Sequence, residues 1–205
     1  MNRWQLMTEL VRAIRDPSRI GDVPILKSEL SQVRGHPHIE AALDSVRGYE
    51  PTVDIADLKS KAAGTFGRAF YDFMLNAGLR PIIPTDHLPK ALIQANSLND
   101  RMARTHDMVH VLLGCDTSWP GECGVWGFVG GQNLAGRLNF AARLAVWVAV
   151  LRCPHRLFEA IRLWRKGWLL GAQCKVLLAV RLEDHFDQPL DELRQSLGIH
   201  PISSL

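Results

Sequence analysis

The sequence has no hydrophobic run that would cross a membrane. The apolar run from Leu144 to Leu151 is eight residues long and lies between Arg143 and Arg152, whereas a transmembrane helix needs about 20 apolar residues. Residues 1–20 also lack the continuous apolar segment of a secretory signal peptide. We therefore expect neither a membrane-spanning segment nor a signal peptide.

Cysteine pairs and charged blocks are also scarce. The four cysteines include no C-x-x-C pair, which argues against a zinc ribbon and predicts reduced thiols rather than a disulfide scaffold. The net charge is only +3, and no block of lysine and arginine is present. We therefore expect a reducing compartment and no nucleic-acid partner.

No stretch alternates apolar and polar residues for long enough to predict a sheet. Helical periodicity dominates instead, and the length of 205 residues predicts one all-α domain over residues 1–205. Three prolines within residues 78–89 predict a loop. The predicted helical segments are a first helix ending at Asp16, residues 38–47, 65–77, 90–113, 122–151 and 155–169, and a short closing helix within 185–199.

The stretch THDMVHVLLGCDTSWPGE, residues 105–122, places two histidines four residues apart. On a helix His106 and His110 would lie on one face, with Asp107 at its border. Gly114 would end the helix, and a short loop would return Glu122 opposite the histidines. Imidazole and carboxylate together suit a divalent metal ion.

Two other interpretations of this stretch stay open at the level of spacing alone. An ordinary amphipathic helix also carries histidines, and Glu122 would be a common residue in the first turn of a helix. The pattern HDMVH is also similar to the H-E-x-x-H motif of zinc proteases, with Asp107 in the position of the general base. Spacing alone therefore leaves a metal site and an ordinary helix equally open.

Three blocks together resemble the Coq4 family of ubiquinone-biosynthesis proteins. They are the block at 54–79 with its GTFGRAF core, the pattern HDxxH followed by eleven residues and Glu, and the block at 164–199. The resemblance spans residues 50–199 in the family's order. It implies zinc, with magnesium as the alternative, bound by His106, Asp107, His110 and Glu122.

The resemblance also implies a role in assembling the quinone ring. The expected reaction is oxidative removal of the C1 carboxyl of a polyprenylated benzoate, with Asp107 as either a ligand or a proton carrier. The alternative is a non-catalytic protein that binds the isoprenoid lipid and organises a complex with other quinone-biosynthesis proteins. A homodimer is left open.

The segment after Glu122 predicts either close helix packing or room for a ligand, because five glycines interrupt it. In the second case the helices would wall a tunnel for a polyprenyl tail, with Gly127 and Ala141 among its walls. A cation at its mouth would hold the carboxylate or phosphate head of the lipid. The candidates are Arg101, Arg104, Arg165 and Lys175.

Residues 152–181 are basic, with Glu159 as the single acidic residue. Trp164 and Trp168 share one helical face, and Arg162, Arg165 and Lys166 flank it, which is typical of a helix at a membrane interface. We expect peripheral attachment to an anionic membrane, with a solvated basic face as the alternative. The location would be the cytoplasmic face of the inner membrane in a bacterium, or the matrix side in a mitochondrion.

Overall fold

The computed structural model describes residues 1–203, and over this range the backbone forms helices and no strand. The all-α prediction is confirmed. None of the described helices is both long and apolar enough to span a bilayer. The α-helices are α1 Arg3–Arg15, α2 Asp22–Ser31, α3 Pro37–Leu43, α4 Ile55–Leu58, α5 Phe66–Ala77, α6 Lys90–Ala95, α7 Ser97–Leu113, α8 Trp119–Gly131, α9 Gly136–Arg152, α10 Leu157–Gly171 and α11 Leu190–Leu197.

Helix α7 is the centre of the fold and is buried over most of its length. It packs against α2, α5, α6 and α8. The predicted segment 90–113 is two helices joined at Asn96, and Gly114 ends α7 in the left-handed conformation at φ 66°. A residue with a Cβ adopts this conformation at a cost, which is why the glycine marks the end of the helix.

The segment predicted as one helix over 122–151 is in fact two. Helix α8 ends at Gly131, and α9 begins at Gly136. Asn133 has a left-handed backbone at φ 50°, which asparagine tolerates better than most residues. The Gln132 side chain binds the Lys175 carbonyl at 2.6 Å and the Leu177 N–H at 3.1 Å. This break lets α9 pack beside α8.

Glycines bring α8 and α10 into close contact, the first of the two interpretations of the glycine-rich segment. A Cβ on Gly127 would lie 2.2 Å from the Trp164 carbonyl oxygen, and one on Gly167 would lie 2.2 Å from that of Gly124. Real atoms do not approach so closely, so these positions exclude any side chain. Gly127 therefore packs against the α10 backbone and is not among the residues that line the two pockets described below.

The two tryptophans of α10 lie against the neighbouring helices. The Trp164 indole N–H donates to the Ala142 carbonyl at 2.8 Å, and the Trp168 ring lies over Gly130 with the Arg143 guanidinium 5.6 Å from its centroid. Both side chains are half-buried. This packing covers part of each indole, and attachment of this face to a membrane stays a prediction.

Candidate metal centre

The loop between α7 and α8 places Glu122 opposite the two histidines of α7. Ser118 caps α8 by accepting from the Gly121 N–H, and Pro120 occupies the first turn, where a missing N–H costs nothing. Asp116 holds the loop through bonds from the Ser118 N–H and hydroxyl. Glu122 then lies in the first turn of α8, where the helix dipole favours a carboxylate.

His106, His110 and Glu122 form one compact cluster. The Glu122 carboxylate lies 3.3 Å from His110 Nε2 and 3.7 Å from His106 Nε2. The three candidate ligand atoms all lie within 4.8 Å of one another. Two imidazoles and a carboxylate at this separation fit a divalent ion with bonds of about 2.0–2.2 Å, after a small inward movement of the side chains.

His110 presents a nitrogen that is suited to binding a metal ion. Its Nδ1 lies 3.1 Å from the Asp116 carbonyl oxygen and 3.3 Å from that of Cys115. Carbonyls only accept, so Nδ1 carries the proton and the Nε2 of a neutral ring presents a lone pair. That Nε2 is buried, has no hydrogen-bond partner among the described residues and faces the Glu122 carboxylate. Two facing acceptors repel each other unless a cation or proton lies between them.

Asp107 occupies a different position from the other three predicted ligands. Its carboxylate lies 3.1 Å from His106 Nδ1, whereas Glu122 approaches Nε2 of the same ring. The structure therefore brings three of the four predicted residues together, and Asp107 orients the imidazole of His106. Accepting the Nδ1 proton leaves Nε2 free to bind a metal.

The surroundings of His106 also favour its protonated form when no metal is bound. Burial alone would lower the pKa of His106, but the hydrogen bond to Asp107 and the charges of Glu122 and Asp107 outweigh it and raise the pKa. A metal ion must displace this proton, so acidification opposes metal binding.

Two apolar pockets open beside the cluster. The α7–α8 pocket, about 190 Å³ in volume, is lined by His106 and by apolar side chains that include Met102 and Val129. The α8–α9 pocket, about 250 Å³, is lined by Glu122 and by side chains that include Ala141. The side chains of His106 and Glu122 are 30% and 27% exposed, so the cluster is open to incoming molecules.

The four cations predicted at the mouth of a tunnel lie in different environments. Arg101 is buried and donates to both Glu183 oxygens at 2.8 and 3.1 Å. Arg104 donates to Asp100 at 2.8 Å and lines a small cavity together with Asp107. Arg165 and Lys175 are exposed, and neither lines the two pockets. Arg104 is thus the predicted cation that shares a cavity with a residue of the site.

Sequence reasoning missed the backbone part of this site, and it placed Trp126 among the apolar residues of 125–151 without singling it out. The carbonyls of Cys115 and Asp116 set the protonation of His110, and no side-chain pattern signals a backbone contact. Trp126 lines both pockets, and its spacing of four residues from Glu122 placed it on the same helical face. That spacing was a signal that the sequence did offer.

Known proteins resemble this chain over most of its length. Residues 40–203 match the family model for "Coenzyme Q (ubiquinone) biosynthesis protein Coq4". The mitochondrial ubiquinone biosynthesis protein COQ4 homolog of Nematostella vectensis is 29% identical over 157 residues, covering 75% of this chain and 74% of that protein. The Rattus norvegicus homolog is 30% identical over 158 residues, covering 73% of this chain but only 56% of the rat protein.

A solved structure extends the likeness to the fold. A crystal structure from Nostoc punctiforme, of a protein also named for ubiquinone biosynthesis, superimposes with a TM-score of 0.65 at 16% identity. The match covers 96% of each chain, so the two proteins share a fold. With its family match over residues 40–203, this chain belongs to the Coq4 family of ubiquinone-biosynthesis proteins.

Proposed function

We propose that this protein binds a divalent metal ion, zinc in the first instance and magnesium as the alternative, through His106, His110 and Glu122. The observation that carries the proposal is the buried Nε2 of His110, which faces the Glu122 carboxylate and has no hydrogen-bond partner within residues 1–203. The ligand is a polyprenylated intermediate of ubiquinone assembly with an anionic head, either a ring carboxylate or a phosphate. The metal fixes the head, and an apolar pocket holds the tail.

The number of protein ligands favours an enzyme over a purely structural site. Structural zinc sites are closed by four protein ligands, whereas catalytic sites use three and leave a position for water or substrate. Here three residues converge, and two of them are partly exposed. A non-catalytic lipid-binding or scaffold protein within a quinone-biosynthesis complex would bind the same ligand. Turnover of a bound prenylated benzoate distinguishes the enzyme from such a protein.

The reaction proposed for this site replaces the ring carboxyl with a hydroxyl. The bond from C1 to the carboxyl carbon breaks, a carbon–oxygen bond forms at C1, and carbon dioxide leaves. The change needs dioxygen and a two-electron reductant from outside the chain, since one oxygen atom becomes the new hydroxyl and the other leaves as water. A bound divalent ion supplies positive charge that polarises the carboxylate. Asp107 keeps His106 in the metal-binding tautomer by accepting its Nδ1 proton.

The α8–α9 pocket is the proposed place for the prenyl tail. It is lined by Glu122 at the cluster and by Ala141, Leu144 and Val148 of α9. Leu144 and Val148 are also exposed, so the pocket opens at the surface and a long tail continues outward. Burial of the tail contributes about 0.8 kcal/mol per methylene group, so the tail supplies most of the affinity.

Filling this pocket tests the proposal. Ala141→Phe is expected to weaken binding of a 3-polyprenyl-4-hydroxybenzoate about tenfold or more, because excluding about two methylene groups at about 0.8 kcal/mol each has that effect. Calorimetric titration measures the affinity, and circular dichroism verifies the fold. Val150→Phe adds the same ring on α9 at a residue outside the pocket lining and should bind like the parent. Unchanged binding by a folded Ala141→Phe variant would exclude the tail from this pocket.

We also propose that α9, rather than α10, attaches the protein to an anionic membrane. Helix α9 carries no acidic residue and has arginines at 137, 143 and 152. Phe140 and Trp147 of α9 are 65% and 70% exposed. Aromatic side chains among cations are typical of interfacial helices. The exposed apolar side chains of α9 are Phe140, Leu144, Trp147, Val148, Val150 and Leu151.

Vesicle binding tests this surface. Trp147→Ala should lower sedimentation with phosphatidylglycerol vesicles at low salt by about tenfold, because a buried aromatic side chain contributes roughly 1.5–3 kcal/mol. High salt should weaken the parent's binding, since anionic lipids attract the arginines. Trp4→Ala removes another exposed tryptophan, on α1, and should have little effect. Equal losses in both variants, or no binding by the parent at low salt, would rule out α9 as the membrane surface.

A further inference from the structure

Trp126 is the one residue that lines both apolar pockets beside the cluster, among the residues that line either. It lies one helical turn after Glu122 on α8 and is half-buried. The α7–α8 pocket contacts the cluster through His106, and the α8–α9 pocket contacts it through Glu122. Both pockets therefore reach the same three-residue site, and Trp126 contributes to the lining of both.

The two pockets differ in how they are bounded. Pro24 of α2 and Ile82 of the proline-rich loop contribute to the α7–α8 pocket together with α7 and α8, so it lies between four parts of the chain. The α8–α9 pocket is bounded on one side by Leu144 and Val148, which are both exposed. A tail of many isoprene units can leave the α8–α9 pocket over these exposed side chains, and this pocket is also the larger of the two, at about 250 Å³ against about 190 Å³.

We propose that Trp126 is a specificity-determining residue, which confines the prenyl tail to the α8–α9 pocket and excludes it from the α7–α8 pocket. This inference rests on the proposed function of the site. Both pockets have apolar walls, so burying a tail in either one would be favourable, since the hydrophobic effect is non-directional. The choice between them therefore depends on shape, and the indole is the shared wall that supplies it. Without the indole the two spaces would join beside the cluster.

A set of four variants tests this division with zinc-loaded full-length protein and a 3-polyprenyl-4-hydroxybenzoate. Ala141→Phe blocks the α8–α9 pocket and should weaken binding about tenfold or more. Adding Trp126→Ala to that variant should restore binding to within about threefold of the parent, because the tail then enters the α7–α8 pocket. Adding Val129→Phe to the pair should abolish the rescue, since Val129 lines only the α7–α8 pocket. The fourth variant, Trp126→Leu with Ala141→Phe, replaces the alanine variant if that one fails to fold.

The outcomes separate the inference from the function on which it rests. If the parent does not bind the prenylated benzoate, the proposed function fails and the inference fails with it. If the parent binds and Ala141→Phe weakens binding, but a folded, zinc-loaded Trp126 variant gives no rescue, the tail site stands and the role of Trp126 is overturned. Rescue that survives Val129→Phe would likewise overturn it, because the tail would then not be entering the α7–α8 pocket.

Discussion

The double variant His106→Ala/His110→Ala is expected to retain no stoichiometric zinc after dialysis, whereas the parent retains one equivalent. Removing both imidazoles leaves only Glu122 of the three converging residues. Binding to the native state stabilises a protein by about 2.7 kcal/mol at a free ligand concentration of 100 times Kd. For a chain of this size that corresponds to roughly 5–10 °C in Tm. The Tm of the parent should rise by this amount when zinc is added, and the Tm of the double variant should not.

The matched control removes two other histidines that are neighbours in space. His36 and His38 stack with their ring centroids 6.0 Å apart, and neither belongs to the cluster. His36→Ala/His38→Ala should keep both the zinc and the increment in Tm. Stoichiometric zinc in the His106/His110 double variant, measured by elemental mass spectrometry, would show that the metal lies elsewhere.

The second large effect concerns Gly127, where even alanine should destabilise the fold by about 3 kcal/mol or more. The added Cβ would lie 2.2 Å from the Trp164 carbonyl oxygen. That oxygen belongs to the backbone of α10, so α8 and α10 would have to separate, and overpacking of this kind costs about 1–3 kcal/mol or more. Leucine at this position should be worse, so Gly127→Leu would test folding rather than lipid binding.

Gly136→Ala is the matched control for this prediction. A Cβ at Gly136 would meet no atom within 4 Å, and alanine is favoured over glycine in a helix by up to about 1 kcal/mol. Urea denaturation should therefore give a free energy of unfolding equal to the parent's, or slightly higher. Equal stabilities for the Gly127 and Gly136 variants would contradict the close approach of α8 and α10.

The predictable part of the fold is the part that local sequence determines. Thr65 accepts from the Arg68 N–H and Gly78 adopts φ 63°, so both ends of α5 have local causes, and the segment 65–77 was predicted to within a residue. The break between α8 and α9 does have a local signal, since the run Gly-Gly-Gln-Asn at 130–133 is typical of a turn, but the prediction did not use it. What makes it stable is the bonding of Gln132 to residues 175 and 177, which lie far along the chain.

The candidate site also has a part that the local sequence determines and a part that depends on contacts elsewhere in the fold. The histidine pair and Glu122 were predictable because α7, Gly114 and a short loop determine where they lie. The roles of the arginines were not predictable, since the partner of Arg101 is Glu183, 82 residues away. Asp107 contacts Nδ1 of His106 rather than the cluster, and this contact depends on side-chain geometry. Spacing alone therefore does not distinguish a ligand set of four residues from one of three.

The most direct measurement is X-ray absorption spectroscopy of the zinc-loaded protein, before and after a 3-polyprenyl-4-hydroxybenzoate is added. The proposed site predicts a first shell of nitrogen and oxygen atoms at about 2.0–2.2 Å, with imidazole scattering from two histidines. Adding the ligand should change the oxygen part of the shell and leave the imidazole part intact. A shell that contains sulfur at about 2.3 Å, or one with no imidazole scattering, would contradict metal binding by His106, His110 and Glu122.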